Sequence, residues 1–240
     1  MGVNCKLLEF FEFPSIPEFC ENVINNDTTP FWVYAYGSLL WYPNFSFEER
    51  VLGYVHDVKR VMSQASFRLG DHDWPGRVAT LIPCPGERTW GAAYKITGVG
   101  NKREAFQKMF EREIKQDYEF ATVKFVPYNS STAFKVAVYV ALPEGPGILV
   151  PVTPEIEAYQ IFRARGIIGM DKNYLYELAK FLKNEILPLT PDAADASNDY
   201  VLRLAALAME YESGQRKLDK AQEEMARPKL RATNDKVTQP

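Results

Sequence analysis

The strongest constraint on this chain is a change of hydrophobic period near residue 150. From Phe31 to about Leu149 the apolar residues come in short runs: WVYAY, RVATLI, WGAAYKI, TVKFV and KVAVYVAL. These runs are β-branched and aromatic, and Pro, Gly, Asn or Asp bounds them, as expected of strands. One segment among them, KREAFQKMFEREI, instead spaces its apolar residues three and four apart, as an amphipathic helix does. Downstream of GPGILVPVTP the helical period takes over, in PEIEAYQIFRARG, NYLYELAKFLKNEIL and NDYVLRLAALAMEY. Strands, one helix, more strands and then several helices predict an α+β domain. The expected form is a twisted, mostly antiparallel sheet curled into a small barrel, with helices packed on its side.

Three regions follow from this pattern. Residues 1–30 form an N-terminal extension that ends in the polar NNDTTP, residues 31–212 the globular domain, and residues 213–240 a charge-dense tail without aromatics. The first half of the tail reads as a continuing helix and its last dozen residues as flexible chain. The extension carries the aromatic run LLEFFEF, whose docking partner (the domain or another molecule) stays open.

Composition narrows the function. With 46% hydrophobic and 25% charged residues, a packed core is expected. A net charge of −3 without a basic patch gives no reason to expect nucleic acid or an anionic membrane as partner. No run of about 18 apolar residues predicts a membrane-spanning helix. Glu9, Glu12 and Pro14 interrupt the apolar N-terminus, and Lys6 stands where a myristoylation site needs Ser or Thr, so neither secretion nor lipidation is expected. Cys5, Cys20 and Cys84 lack metal-ligand spacing and are odd in number, which favours a reducing, cytoplasmic setting.

Two places carry candidate chemistry. The first is WVYAYGSLLW, residues 32–41, where a strand-like run breaks at Gly37-Ser38 and resumes apolar. Glycine permits φ > 0 and a close approach to the backbone, and successive N–H groups in such a turn cradle an anion, with the Ser hydroxyl as a further donor. An ordinary bulge or hairpin corner explains the same residues. The second is Glu113. With Phe106, Met109 and Phe110 on the buried stripe of KREAFQKMFEREI, Glu113 lies at i+7 from Phe106, while Glu104, Lys108, Glu111 and Lys115 fall on the solvated face. A carboxylate on an apolar stripe is either paired with a cation, Arg60 or Arg77 for instance, or held with a raised pKa, as a general base requires.

Other chemistries lack their parts. Ser38 has only His56 and His72 as possible bases and no Gly-x-Ser-x-Gly elbow. Cys84 sits in IPCPGE, read as a proline-flanked turn, and no nucleotide-binding glycine pattern occurs.

Several motifs in order resemble the ChaC family of γ-glutamylcyclotransferases. They are YGSLLWYPNFSFEERVLGYV, WPGRVATL, WGAAYKI, Arg112-Glu113, VYVAL and PVTPEIEAYQIFRARG…NYLYELAKFL, over roughly residues 31–210. The resemblance implies a γ-glutamylcyclotransferase-like fold with a small mixed or antiparallel barrel. It also implies cleavage of glutathione to 5-oxoproline and cysteinylglycine, with no metal or other cofactor. Tyr36, Gly37, Ser38 and Leu39 would grip the γ-glutamyl group through backbone amides. Glu113 would serve as the catalytic acid and base, and Tyr139 would line the pocket. Where the family has Gly-Gly-Tyr soon after this Glu, the chain reads EIKQDYEF. Tyr118 thus keeps its place as a substrate-side residue while Gln116-Asp117 replace the glycines. If those glycines give the peptide part of the substrate its close approach, the preferred leaving group differs here.

Arg60 and Arg77 are the cations nearest in sequence to the pocket strands. Either is placed to meet the terminal carboxylate of a tripeptide substrate, with Arg60 the expected partner. The segment SQASFRLGDHDWPG, with His72 read as solvated, is the expected loop over the site. Family members are described as acting alone, so a monomer is expected. The alternatives are a cyclotransferase for other γ-glutamyl amines or dipeptides, and a non-catalytic γ-glutamyl-binding protein on the same fold.

Overall fold

A computed structural model of the chain describes residues 10–114, 117–142, 145, 147–193 and 195–231. After a short helix α1 (Ile16–Phe19), five strands close a barrel: β1 (Phe31–Ala35), β2 (Glu49–Ser66), β3 (Gly76–Ile96), β4 (Tyr118–Pro127) and β5 (Phe134–Ala141). Their order is β1-β3-β2-β4-β5. Neighbours run antiparallel except for β1 and β5, which pair in parallel at Val33↔Ala137 and so close the cylinder. The expected α+β class and curled sheet are what the chain forms.

Two glycines make the curl possible. Gly53 and Gly91 are cross-strand partners in β2 and β3. A Cβ on Gly53 would lie 2.1 Å from the Val126 carbonyl oxygen, and one on Gly91 would lie 2.1 Å from that of Ala35. Neighbouring backbone passes so close on both sides that no side chain fits.

The segment IPCPGE is strand, not the turn its prolines suggested. β3 runs through it, with a register shift opposite Asp57, between His56 and Val58. Asp57 (φ +60°) and Gly86 (φ +85°) take left-handed conformations, and the Gly86 N–H donates to Asp57 Oδ1 at 2.8 Å. At such a bulge the missing proline N–H is not needed by the ladder. The β2–β3 hairpin bends there, and its far half forms the platform for the C-terminal helices.

Between β3 and β4 lies α2 (Val99–Ile114). Its Ala105, Phe106 and Met109 are buried, and Phe106 packs on Phe31 and Phe120 of the barrel wall. After the barrel come α3 (Pro154–Arg163), α4 (Asp171–Phe181) and α5 (Ala196–Glu212). α3 starts where Thr153 caps it and Pro154 occupies its first turn, and α5 starts where Asp195 accepts the Asn198 N–H at 3.0 Å. A small hairpin, β6 (Arg165–Gly166) and β7 (Gly169–Met170), links α3 to α4.

The described part of the N-terminal extension belongs to the same core. Phe11 is buried, Glu12 pairs through its backbone with Thr122, and Phe19 packs against Phe31, Phe106 and Phe120. The tail leaves α5, forms α6 (Lys220–Met225) with a reciprocal cap between Asp219 and Gln222, and runs back along residues 148–150. Lys229 and Arg231 are held there by backbone hydrogen bonds to Val150 and Ile148, so these first residues of the stretch expected to be flexible are pinned. The rest of that stretch lies outside the described residues. Among the described residues no helix is long and apolar enough to cross a membrane.

Candidate active site

β1 ends at Ala35, and the chain turns through Tyr36-Gly37 into a single 3-10 turn, Ser38–Leu40. Within it the Leu40 N–H donates to Gly37 O at 2.9 Å and the Trp41 N–H to Ser38 O at 3.2 Å. The N–H groups of Ser38 and Leu39 open the turn and have no acceptor inside it. Gly37 has φ −129°, so left-handed backbone is not the reason for this glycine. The reason is space: a Cβ there would lie 2.6 Å from the Tyr174 hydroxyl oxygen, which α4 drives against the turn.

Glu113 comes from the last turn of α2. Its side chain keeps only 12% of its exposure, and burial pushes its carboxyl above the ordinary carboxylate range. The helix end adds to this, because its carbonyls present negative potential to a carboxylate. Arg112 and then Arg68 act in the opposite direction. The Nε of Arg112 lies 3.1 Å from Glu113 Oε1, and its Nη2 donates to Ser38 Oγ. One guanidinium thus joins the turn to the carboxylate.

Four tyrosines complete the wall, and burial raises the pKa of each. The Tyr36 hydroxyl donates to Tyr139 O and the Tyr118 hydroxyl to Ala79 O, both at 2.6 Å. The Tyr174 hydroxyl, pushed up to about 12, accepts the Ala79 N–H at 3.3 Å. The Tyr139 hydroxyl is buried and has no hydrogen-bond partner among the described residues. An orphaned buried hydroxyl is costly unless something else satisfies it.

These groups line one inner cleft of about 40 Å³. It opens to a cavity of about 540 Å³ that Glu113, Ser38, Tyr118 and Tyr174 also line. A second cavity of about 760 Å³ shares Tyr42, Arg68 and Arg112 with the first and adds Phe67, Lys108 and Asp117. Tyr36, Gly37, Ser38, Leu39, Tyr118, Tyr139 and Glu113, predicted from positions more than a hundred residues apart, therefore meet in the inner cleft.

Arg60 does not join them. It is fully buried on the far half of β2, where its guanidinium donates to Trp90 O and, at 3.4 Å, to Asn198 Oδ1 of α5. It ties a strand to a helix, and its charge acts on Tyr34, Tyr36 and Tyr174 although it does not itself line the cleft. Arg77 is likewise committed, to Gln160 Oε1 at 2.5 Å, Met62 O at 3.0 Å and the Glu157 carboxylate at 3.7 Å. Neither pairs with Glu113; the cations that face it are Arg112 and Arg68.

Sequence reasoning also missed Tyr174. It looked like one aromatic of a helix stripe, and only the docking of α4 on the Gly37 turn brings it to the site. Arg68 and Leu69 place the expected loop at the cavity, with Asp71 Oδ1 accepting the N–H groups of Asp73 and Trp74. His72 rests on the Phe67 ring at 4.9 Å. Of the residues replacing the family glycines, Gln116 lies outside the described residues. Asp117 holds a left-handed φ of +61° beside the second cavity.

The sequence profile of the ChaC-like protein family matches residues 31–207. Mouse glutathione-specific gamma-glutamylcyclotransferase 1 is 35% identical over 162 residues, covering 66% of this chain and 72% of the mouse protein. Gamma-glutamylcyclotransferase 2-3 of Arabidopsis thaliana is 36% identical over 157 residues, covering 63% of this chain and 79% of the plant protein. Among solved structures, a glutathione-specific γ-glutamyl cyclotransferase from yeast superposes with a TM-score of 0.65 at 21% identity, covering 76% of this chain and 96% of that one, which shows a common fold. A profile match across the whole barrel and its helices, with relatives of this identity, makes the chain a member of the ChaC-like family.

Proposed function

We propose that the chain is a γ-glutamylcyclotransferase that cleaves glutathione into 5-oxoproline and cysteinylglycine. The observation that carries this reading is one cleft holding a desolvated carboxylate, Glu113, beside the backbone turn at Tyr36–Leu39 and the unpartnered Tyr139 hydroxyl.

In this mechanism the substrate's α-carboxylate sits against the N–H groups of Ser38 and Leu39. Glu113 removes a proton from the α-ammonium, and the freed amine attacks the γ-carbonyl carbon of the same molecule. A C–N bond forms, closing the five-membered ring, and the electron pair of the carbonyl moves to oxygen. When it returns, the C–N bond to cysteine breaks and Glu113 hands its proton to the departing nitrogen. The second proton of the ring nitrogen follows by way of the same carboxylate, which leaves a neutral lactam and the ammonium of cysteinylglycine. One carboxyl group thus acts as base and then acid, which suits its raised pKa. Because nucleophile and electrophile belong to one molecule, holding it folded supplies much of the rate. Tyr139 donates to the bound γ-glutamyl group, and Tyr118 and Tyr174 fix the wall through Ala79. Arg112 holds Glu113 and the turn in register.

The glutathione-specific activity of the mouse relative supports glutathione as substrate. Asp117, standing where the family has glycine, favours a second reading with a different γ-glutamyl leaving group. Action as a single chain in the cytoplasm, without nucleic acid, completes the proposal; Cys20 and Cys84 are free thiols. The test is to incubate the protein with glutathione and, separately, γ-glutamyl-alanine, and to quantify 5-oxoproline. Release from glutathione, lost in Glu113→Gln, supports the proposal. Release from the dipeptide alone moves the substrate, and release from neither leaves a binding protein on this fold.

A further inference from the structure

Five charged side chains line the second cavity, and three of them are already engaged. Lys108 pairs with Glu104 at 2.5 Å, and Glu111 accepts from Gln107 Nε2 at 3.0 Å. Arg112 holds Glu113 and Ser38. Arg68 differs. Its guanidinium has no hydrogen bond or ion pair with any described residue, although it lines both cavities and lies close enough to Glu113 to lower its pKa.

The backbone beneath Arg68 is nevertheless held firmly. Its carbonyl accepts the Ile168 N–H at 3.1 Å, and Gly166 packs so near that a Cβ there would lie 2.2 Å from the same oxygen. Ser66 anchors the turn, its carbonyl accepting the Gly70 N–H at 3.0 Å. A fixed base with an unpaired planar cation at the junction of two cavities is the arrangement that takes a carboxylate in two parallel hydrogen bonds.

We infer that Arg68 is the specificity determinant for the leaving peptide, binding its terminal carboxylate. This rests on the proposed cyclotransfer at Glu113. The γ-glutamyl half occupies the inner cleft, so the leaving half must extend outward past Glu113. Two extended residues reach about 7 Å, which carries a dipeptide's carboxylate from the inner cleft into the junction that Arg68 lines. The substrate class is therefore γ-glutamyl peptides that end in a free carboxylate, in preference to γ-glutamyl amines and amides. Asp117 on the same cavity limits how tightly an anion is held.

The test compares glutathione with its glycine amide in wild type, Arg68→Ala and Arg68→Lys, at a pH where Glu113 is fully ionised. Wild type should prefer the acid. Arg68→Ala should raise KM for glutathione by about 10- to 100-fold, the loss of a charge-assisted hydrogen bond, with a KM change under threefold for the amide. Arg68→Lys should recover part of the preference. An acid-to-amide preference unchanged in Arg68→Ala overturns the inference, as does an equal loss of kcat on both substrates. If wild type releases 5-oxoproline from neither compound, it is the cyclotransferase reading that fails. Calorimetric binding of the same pair to Glu113→Gln, with and without Arg68→Ala, then decides the carboxylate subsite by itself. Equal affinity for acid and amide in Glu113→Gln would end it.

Discussion

The two ends of the buried face of α2 carry opposite charges in opposite circumstances. Lys102 and Glu113 lie eleven residues apart (113 − 102), three helical turns, on the stripe that also presents Ala105, Phe106 and Met109 to the barrel. The Lys102 ammonium donates to three carbonyls of the N-terminal arm, Val23 at 2.8 Å, Asn26 at 2.5 Å and Thr29 at 2.7 Å. All three of its donors are used, and it ties the arm to the helix. Glu113 has Arg112 on one oxygen and an open cleft before it. A buried charge with its hydrogen bonds filled is a fastening; one left partly unfilled is available for chemistry.

The largest effect expected is at the unfilled end. Glu113→Gln should reduce turnover by about 10³- to 10⁴-fold, the upper part of what a general acid–base group supplies, while a urea titration shows no loss of stability. Near wild-type 5-oxoproline production from this variant would remove Glu113 from the chemistry.

The filled end should answer in the other observable. Lys102→Met leaves three carbonyls without their donor and should cost about 3 kcal/mol of stability, read as a lower urea midpoint. The kcat of the folded fraction should stay within about twofold, because Lys102 lines neither the cleft nor the two cavities and its hydrogen bonds go to the arm. A stable, inactive Lys102→Met protein would break the division between the two ends.

Gly37→Ala sits between these cases. The added methyl meets the Tyr174 hydroxyl, so activity should fall about 10- to 100-fold, corresponding to a 1–3 kcal/mol clash. Gly37→Ala combined with Tyr174→Phe removes the colliding oxygen and should regain most of the loss. No regain would mean that the turn, and not the tyrosine, rejects the methyl.

The smallest effect is in the pH profile. In the proposed mechanism Glu113 must be ionised to act as base, so kcat/KM should rise with pH through a value above the ordinary carboxylate range. Arg112→Met and Arg68→Ala, which remove the two lowering charges, should each move that limb to higher pH, Arg112→Met further. For stability the sign is opposite. A raised folded-state value means that the native protein holds this proton more tightly than the unfolded chain. The Glu113 contribution is therefore most favourable below the ordinary carboxylate range and is lost as pH rises through the raised value. Glu113→Gln should flatten that decline.

The difference between the two ends also shows how far the sequence could be read. Glu113 was legible because one stretch of sixteen residues contains its whole periodic context. So was the turn at Gly37, whose broken strand is local, although its cause, Tyr174, comes from a helix far along the chain. Lys102 was not legible as buried: its acceptors are backbone carbonyls of a separate arm, which no side-chain pattern announces. Arg60 and Arg77 could not be placed for a related reason. Sequence marks them as cations on pocket strands, but which half of a bent hairpin they occupy, and which helix lies over it, is settled only by packing. The strand through Pro83 and Pro85 was hidden by two prolines whose harmlessness depends on a bulge in their own strand, where residues 84–87 stand opposite Asp57 alone.

The parallel seam at Val33↔Ala137 joins residues 104 positions apart (137 − 33), and the cleft lies at its end, with Tyr36 on one side and Tyr139 on the other. Closing so long a loop is among the slower and entropically more demanding steps available to a domain of this size. Until it closes, the chain can carry a complete α2 and still have no place to hold a substrate against Glu113. On the proposed mechanism a nascent or damaged copy is catalytically silent, and consumption of the substrate is confined to molecules that have finished folding.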